Sequence, residues 1–182
     1  MKDACNKAVF IDRDGVITIE PTGKGKNQYI RSLSEMKIQM EIVPLLQTFQ
    51  RLGYKLIVVT NQACIGKGYL SHRQFAILTR YMIAQLRRKG IRIANVYYCS
   101  SCNPHHPCRK PNPGMLWKAK QRYHIDLQKS ILIGNQLRDI KAGKRAGIGM
   151  TILYDSNAMP DITVKKLSYI QPGNLKRMKG EP

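Results

Sequence analysis

The chain has 182 residues, 43% of them hydrophobic, with 31 Lys and Arg against 11 Asp and Glu and a formal charge of +20. This length fits one domain with a buried core, and the apolar content excludes wholesale disorder. No apolar run approaches the roughly 20 residues of a membrane-spanning helix, and the N-terminal Met-Lys-Asp-Ala-Cys-Asn-Lys lacks the apolar stretch of a secretory signal, which points to the cytoplasm.

Lys7–Ile11 reads as a short buried strand stopping at Asp12-Arg13-Asp14-Gly15, and residues 18–37 lack periodicity and read as loop. From Glu41, apolar residues at Val43, Leu45, Leu46, Phe49 and Leu52 predict an amphipathic helix ending near Gly53. Lys55–Thr60 is an almost continuous apolar run, as in strands covered on both faces of a parallel sheet. Ser71 is placed to cap a long helix to about Lys89 with Phe75, Leu78, Met82 and Leu86 inward. Val96–Cys99 is a third strand, and a helix starts at Pro113, with Trp117 expected to pack on it. A strand at Ser130–Gly134, a helix over about 136–146 and a strand at Gly149–Tyr154 follow. This alternation predicts an α/β fold, a doubly wound parallel sheet flanked by helices, in a domain over residues 1–155. Residues 156–182 read as a loosely packed basic tail.

Ligands of open parallel sheets bind beyond the carboxyl ends of the strands. Four polar motifs fall there: Asp12-Arg13-Asp14-Gly15, Thr60-Asn61-Gln62, Arg109-Lys110-Pro111, and Gly134-Asn135-Gln136 with Asp139. Two carboxylates two residues apart can divide the work of a nucleophile, Asp12, and a general acid and base, Asp14. A divalent cation between Asp12 and a phosphate would reduce their repulsion, and Mg²⁺ suits oxygen ligands. Thr60 and Asn61 offer neutral donors, and Lys110 a cation for charge on the transferred group. Three of the five cysteines, Cys99, Cys102 and Cys108, fall within ten residues beside His105 and His106, a pattern that in a cytosolic chain favours metal over disulfides.

Asp-Arg-Asp-Gly-Val-Ile, Val-Val-Thr-Asn-Gln and Cys-Arg-Lys-Pro-Asn-Pro-Gly-Met-Leu together resemble the haloacid dehalogenase superfamily. Within it the sequence is most similar to D,D-heptose 1,7-bisphosphate phosphatases and histidinol-phosphate phosphatases, from about Ala8 to Tyr154. The resemblance implies an aspartyl-phosphate on Asp12, Asp14 as acid and base, and Mg²⁺ held by Asp12 and the Asp14 carbonyl. It also implies phosphate contacts from Thr60, Asn61 and Lys110, with Arg109 nearby. The implied substrate is a small phosphorylated sugar, whose 7-phosphate is removed in building the heptose of lipopolysaccharide.

Two departures stand out. The family usually carries Gly-Asp-Lys where this chain has Gly134-Asn135-Gln136. An Asn carbonyl can still coordinate Mg²⁺ but removes one negative charge, and Asp139 is the expected compensator, directly or through water. Relatives with zinc carry Cys-x-His and Cys-x-Cys, whereas here Cys99, Cys102, His105 (or His106) and Cys108 form a compressed set that suits a tetrahedral structural Zn²⁺. Lys24 or Lys26 is a candidate contact for a second phosphate. Alternatives are histidinol-phosphate phosphatase, polynucleotide 3′-phosphatase, and a low-activity binding relative with Asn135 as the lesion. The positive charge makes nucleic acid conceivable, but its scattered placement lacks the density of a nucleic-acid arm, and a monomer is expected.

Overall fold

The computed structural model describes residues 6–154, so the tail expected over 156–182 lies outside the described residues. The strands are β1 (Ala8–Ile11), β2 (Lys55–Asn61), β3 (Ile93–Cys99), β4 (Ile131–Gly134) and β5 (Met150–Leu153). All pair in parallel in the order β3-β2-β1-β4-β5, so the doubly wound expectation holds. Strand order reverses at β1, which places a crevice between the ends of β1 and β4.

Alternation along the strands divides the core. Val9 and Ile11 of β1 and Leu56 and Val58 of β2 bury against one set of residues, which includes Leu46, Phe49, Phe75 and Met82 from helices α1 (Ile42–Arg51) and α3 (His72–Arg88). Short α2 (Ala63–Gly66) lies between those helices in the chain. Ala8, Phe10, Ile57 and Val59 bury on the opposite face with Met115, Leu116 and Ala142 from α4 (Gly114–Tyr123) and α5 (Leu137–Ala146). Both faces of β1 and β2 are therefore covered, which is why their sequences are continuously apolar rather than alternating.

The expected Ser71 cap is present as a full capping box: Gln74 N donates to Ser71 Oγ at 3.1 Å, and Ser71 N donates to Gln74 Oε1 at 2.8 Å. Trp117 differs from expectation. It is 49% exposed, because α4 turns Met115, Leu116 and Ala119 inward instead. β3 begins three residues earlier than expected, paired with β2 despite polar Asn95 within it.

Candidate active site

β1 ends by delivering Asp12, only 6% exposed, to the crevice, its N–H donating to Ile133 O of β4 at 2.9 Å. Lys110 Nζ stands 3.0 Å from Asp12 Oδ1, and Arg13 N donates to the same oxygen at 2.7 Å. Both contacts fall on Oδ1, which leaves Oδ2 without a hydrogen-bond or ionic partner among the described residues. Burial pushes the Asp12 carboxyl up to about 7; Lys110 opposes the rise, while Asp139 and Asp14 add to it.

Lys110 is 3% exposed and has three contacts: Asp12, Asp139 Oδ1 at 2.7 Å, and a hydrogen bond donated to Val59 O at 2.9 Å. Burial alone would lower its basicity, but two carboxylates outweigh burial and the net movement is upward. The opposite balance at Asp12 has a simple cause. One cation serves two buried carboxylates, so the cation gains twice while each carboxylate gains a share and meets the other's repulsion. Asn61 fixes the lysine's backbone from both sides, Nδ2 donating to Lys110 O and Oδ1 accepting from Lys110 N, each at 3.0 Å. The amide expected to donate to phosphate thus also holds Lys110, and its second Nδ2 proton remains at the cavity that Asn61 lines.

Asp14 is enclosed by donors. Arg13 Nε and Nη2 each reach a different carboxylate oxygen at 2.8 Å, Gln62 Nε2 donates to Oδ2 at 2.9 Å and Thr18 Oγ1 to Oδ1 at 3.1 Å. Burial would raise this carboxyl, but the Arg13 charge and these hydrogen bonds overcome it and hold the carboxyl below its ordinary value. Arg13, fully buried, and Gln62 had no role assigned from sequence. The available signal was the cation between two Asp residues. Thr60 Oγ1 accepts from Gln62 Nε2 at 2.9 Å, so the Thr60 proton is left to donate into the cavity it lines.

The cavity over these groups is about 120 Å³, lined by Asp12, Asp14, Thr60 and Asn61 with Glu20, Gln28, Tyr29, Arg109 and Arg138 at its walls. Arg109 is tethered by Nη1 donating to Ser101 O at 2.8 Å. The loop expected to bring Lys24 or Lys26 contributes Gln28 and Tyr29 instead, while both lysines are exposed. Gly15 has φ +81, and a Cβ there would collide with the Asn135 amide.

The fourth motif is rearranged relative to expectation. Asp139 is fully buried, with Oδ1 beside Lys110 and Oδ2 accepting from Gln136 N at 3.0 Å. Both oxygens are engaged, so the structure places Asp139 as the counter-ion of Lys110 and the cap of α5 rather than as an open cation ligand. Asn135 Nδ2 donates to Glu20 Oε2 at 2.8 Å, and its Oδ1 is buried without a partner among the described residues. An orphaned carbonyl oxygen beside carboxylates fits a hard cation, and Mg²⁺ at phosphoryl sites needs only one or two carboxylates plus substrate oxygens.

The four expected zinc ligands do not converge. Cys102 Sγ lies 3.5 Å from Ala63 O, and His105 is exposed. The imidazole near Cys99 is that of His106, with Nδ1 at 3.7 Å from Cys99 Sγ and accepting from Cys108 N at 3.2 Å. Burial raises the Cys99 thiol above its ordinary value. Among the described residues no three His, Cys, Asp or Glu side chains are grouped to hold a metal ion. No helix among them is long and apolar enough to cross a membrane.

Known proteins give this geometry a context. A HAD-hydrolase-like family model matches residues 107–172, past the boundary expected at 155. The D-glycero-alpha-D-manno-heptose-1,7-bisphosphate 7-phosphatase of Photorhabdus laumondii is 37% identical over 154 residues, which cover 78% of this chain and 79% of that protein. The D-glycero-beta-D-manno-heptose-1,7-bisphosphate 7-phosphatase of Mesorhizobium japonicum is 35% identical, over 88% of this chain and 76% of its own. The crystal structure of D,D-heptose 1,7-bisphosphate phosphatase from B. bronchiseptica, complexed with magnesium and phosphate, has a TM-score of 0.78 over 94% of this chain and 99% of that one. At 21% identity this last likeness speaks for the fold. With two such relatives covered over more than three quarters of their length, the chain belongs to the heptose-1,7-bisphosphate phosphatase family of HAD-like hydrolases.

Proposed function

We propose that this chain is a Mg²⁺-dependent phosphatase that removes the 7-phosphate of D-glycero-D-manno-heptose 1,7-bisphosphate through a phosphoryl group carried on Asp12. The observation that carries the reading is the placement of Asp12. One oxygen is held by Lys110 and Arg13 N, and the other is unpartnered at a small polar cavity whose walls carry two arginines. Asp12 Oδ2 attacks phosphorus as the sugar oxygen leaves. Asp14 gives that oxygen its proton, then takes one from the water that releases inorganic phosphate from Asp12. Lys110 and the Thr60 hydroxyl stabilise charge on the transferred oxygens. A phosphate dianion in the cavity adds negative charge near Asp14 and raises its proton affinity, opposing the Arg13 pair. Mg²⁺, when bound, neutralises charge between nucleophile and phosphate. Asp12, the Asp14 carbonyl and Asn135 Oδ1 are the groups that would hold it, with Asp139 acting through Lys110.

The test is phosphate release from both anomers of the bisphosphate across a Mg²⁺ titration, with histidinol phosphate and 3′-phosphorylated DNA as competitors for the reading. Preferential release of the 7-phosphate supports it; preference for either competitor overturns the substrate. Binding without turnover at any Mg²⁺ concentration favours the alternative that neutral Asn135 has left a binding relative.

A structural Zn²⁺ in the Cys99–Cys108 loop is a separate part of this reading, carried by the donor types Cys99, Cys102, His105 or His106, and Cys108. It requires the loop to regroup, since no three of these side chains are gathered among the described residues. A zinc-to-protein ratio near one in protein purified without chelator supports it, and a ratio near zero removes it.

A further inference from the structure

Asn135 offers the cation site a neutral oxygen where a hard divalent ion favours an anionic one. Its surroundings supply what it lacks. Glu20 lies 115 residues earlier in the chain, in the loop that follows the Asp-Arg-Asp-Gly turn, yet its Oε2 accepts from Asn135 Nδ2 at 2.8 Å. With Nδ2 committed to a carboxylate, the amide cannot turn over without setting its own carbonyl oxygen against Glu20. Oδ1 is thus held as the free end, buried and without a partner among the described residues. Glu20 also lines two adjoining cavities, the one that contains Asp12 and Asp14 and a second, of about 370 Å³, that contains Asn135 and Gly15. Among the described residues it is the carboxylate that lines both. The other candidate compensator, Asp139, is occupied by Lys110 and Gln136 N.

We infer that Glu20 is a positioning residue of the divalent-cation centre, which orients Asn135 through Nδ2 and places beside the centre the negative charge that an Asn at this position lacks. The inference rests on the phosphatase reading but is tested apart from turnover.

The experiment is titration of the full chain with Mn²⁺, followed by the loss of the free-ion EPR signal, for the natural protein, E20Q, N135D and E20Q/N135D. Partners that orient a metal ligand typically change metal affinity by about 10–100-fold. Gln at position 20 still offers Asn135 Nδ2 an acceptor and removes only the charge, so E20Q is expected to weaken Mn²⁺ binding toward the lower end of that range. In the E20Q background N135D restores affinity, because the carboxylate then stands at position 135 itself. Thermal melts in chelator confirm that the four proteins are equally folded. Unchanged Mn²⁺ affinity in E20Q overturns the inference, as does an N135D gain of the same factor with Glu20 or Gln at position 20, since the new carboxylate would then act independently of Glu20. If the natural protein hydrolyses the bisphosphate while E20Q binds Mn²⁺ normally, only this inference falls. If the expected Mn²⁺ pattern is found without turnover of any substrate, the role of Glu20 stands and the phosphatase reading falls.

Discussion

Replacing Lys110 by Met keeps an unbranched side chain of similar length and removes its charge. The change strands Asp12 and Asp139, whose Oδ1 atoms lie 3.0 Å and 2.7 Å from Nζ. At an effective dielectric of about 20, each contact represents roughly 5–6 kcal/mol of gross attraction, most of it offset by desolvation. Removing one member of such a buried group costs about 3–5 kcal/mol net, because the remaining charges stay buried. The loss also depends on pH in a definite direction. Burial already lifts Asp12 from 3.8 to about 7 against the pull of Lys110, so without the cation it rises further. A carboxyl raised on folding contributes stability that is complete below its unfolded value and is lost as pH rises through its folded value. The deficit of K110M is therefore smallest in mild acid and grows through neutral to alkaline pH. Urea unfolding followed by circular dichroism, at about pH 5.5 and about pH 8, measures it directly. Adding D139N to K110M removes one stranded carboxylate and should return at least about 1 kcal/mol. A deficit under about 1 kcal/mol at the higher pH, or one that shrinks as pH rises, would refute the shared-cation account.

Asp12 must be ionised to attack, so kcat/KM at limiting Mg²⁺ should rise with pH through about 7, and saturating Mg²⁺ should move that limb downward by favouring the carboxylate; a limb insensitive to Mg²⁺ counts against Asp12 as the titrating group. D12N should lower turnover by about 10⁴-fold or more while leaving the circular dichroism spectrum intact, as measured by phosphate release. S71A, which removes the capping box of α3 far from the chemistry, should cost about 0.5–2 kcal/mol in urea unfolding with kcat unchanged. G15A should impair both folding and activity, since φ +81 and the Asn135 amide leave no room for a Cβ; a well-folded, fully active G15A would contradict the close approach.

Local patterns along the chain suffice for the layers of the fold and for the end of the sheet where its chemistry lies. Apolar runs such as Leu56–Val59, of strand length and rich in β-branched residues, read as central strands, the helices between them carry one apolar face, and parallel pairing sends every polar motif to the same edge. Asp12, Asp14, Thr60 and Lys110 were legible because each stands at the carboxyl end of a strand or beside a turn-forming Pro or Gly. Which partner each group has depends on contacts that form only on folding. Asp139 sits three positions beyond Gln136 and looks like a spare ligand until folding sets it against Lys110, 29 positions earlier in the chain. Asn61 reads as a phosphate donor alone until the fold shows both ends of its amide also bracketing the backbone of Lys110. Arg13 sits between two carboxylates, and only the turn shows that its guanidinium pairs with Asp14. His106 rather than His105 meets Cys99 because the loop turns one imidazole inward and leaves the other exposed. Glu20 belongs to a stretch with no periodicity and therefore no signal. Strand and helix periodicity is a local property that any short window carries, whereas hydrogen-bond partners and pKa shifts come from groups brought within about 3 Å across long stretches of chain, and those distances exist only once the core has closed.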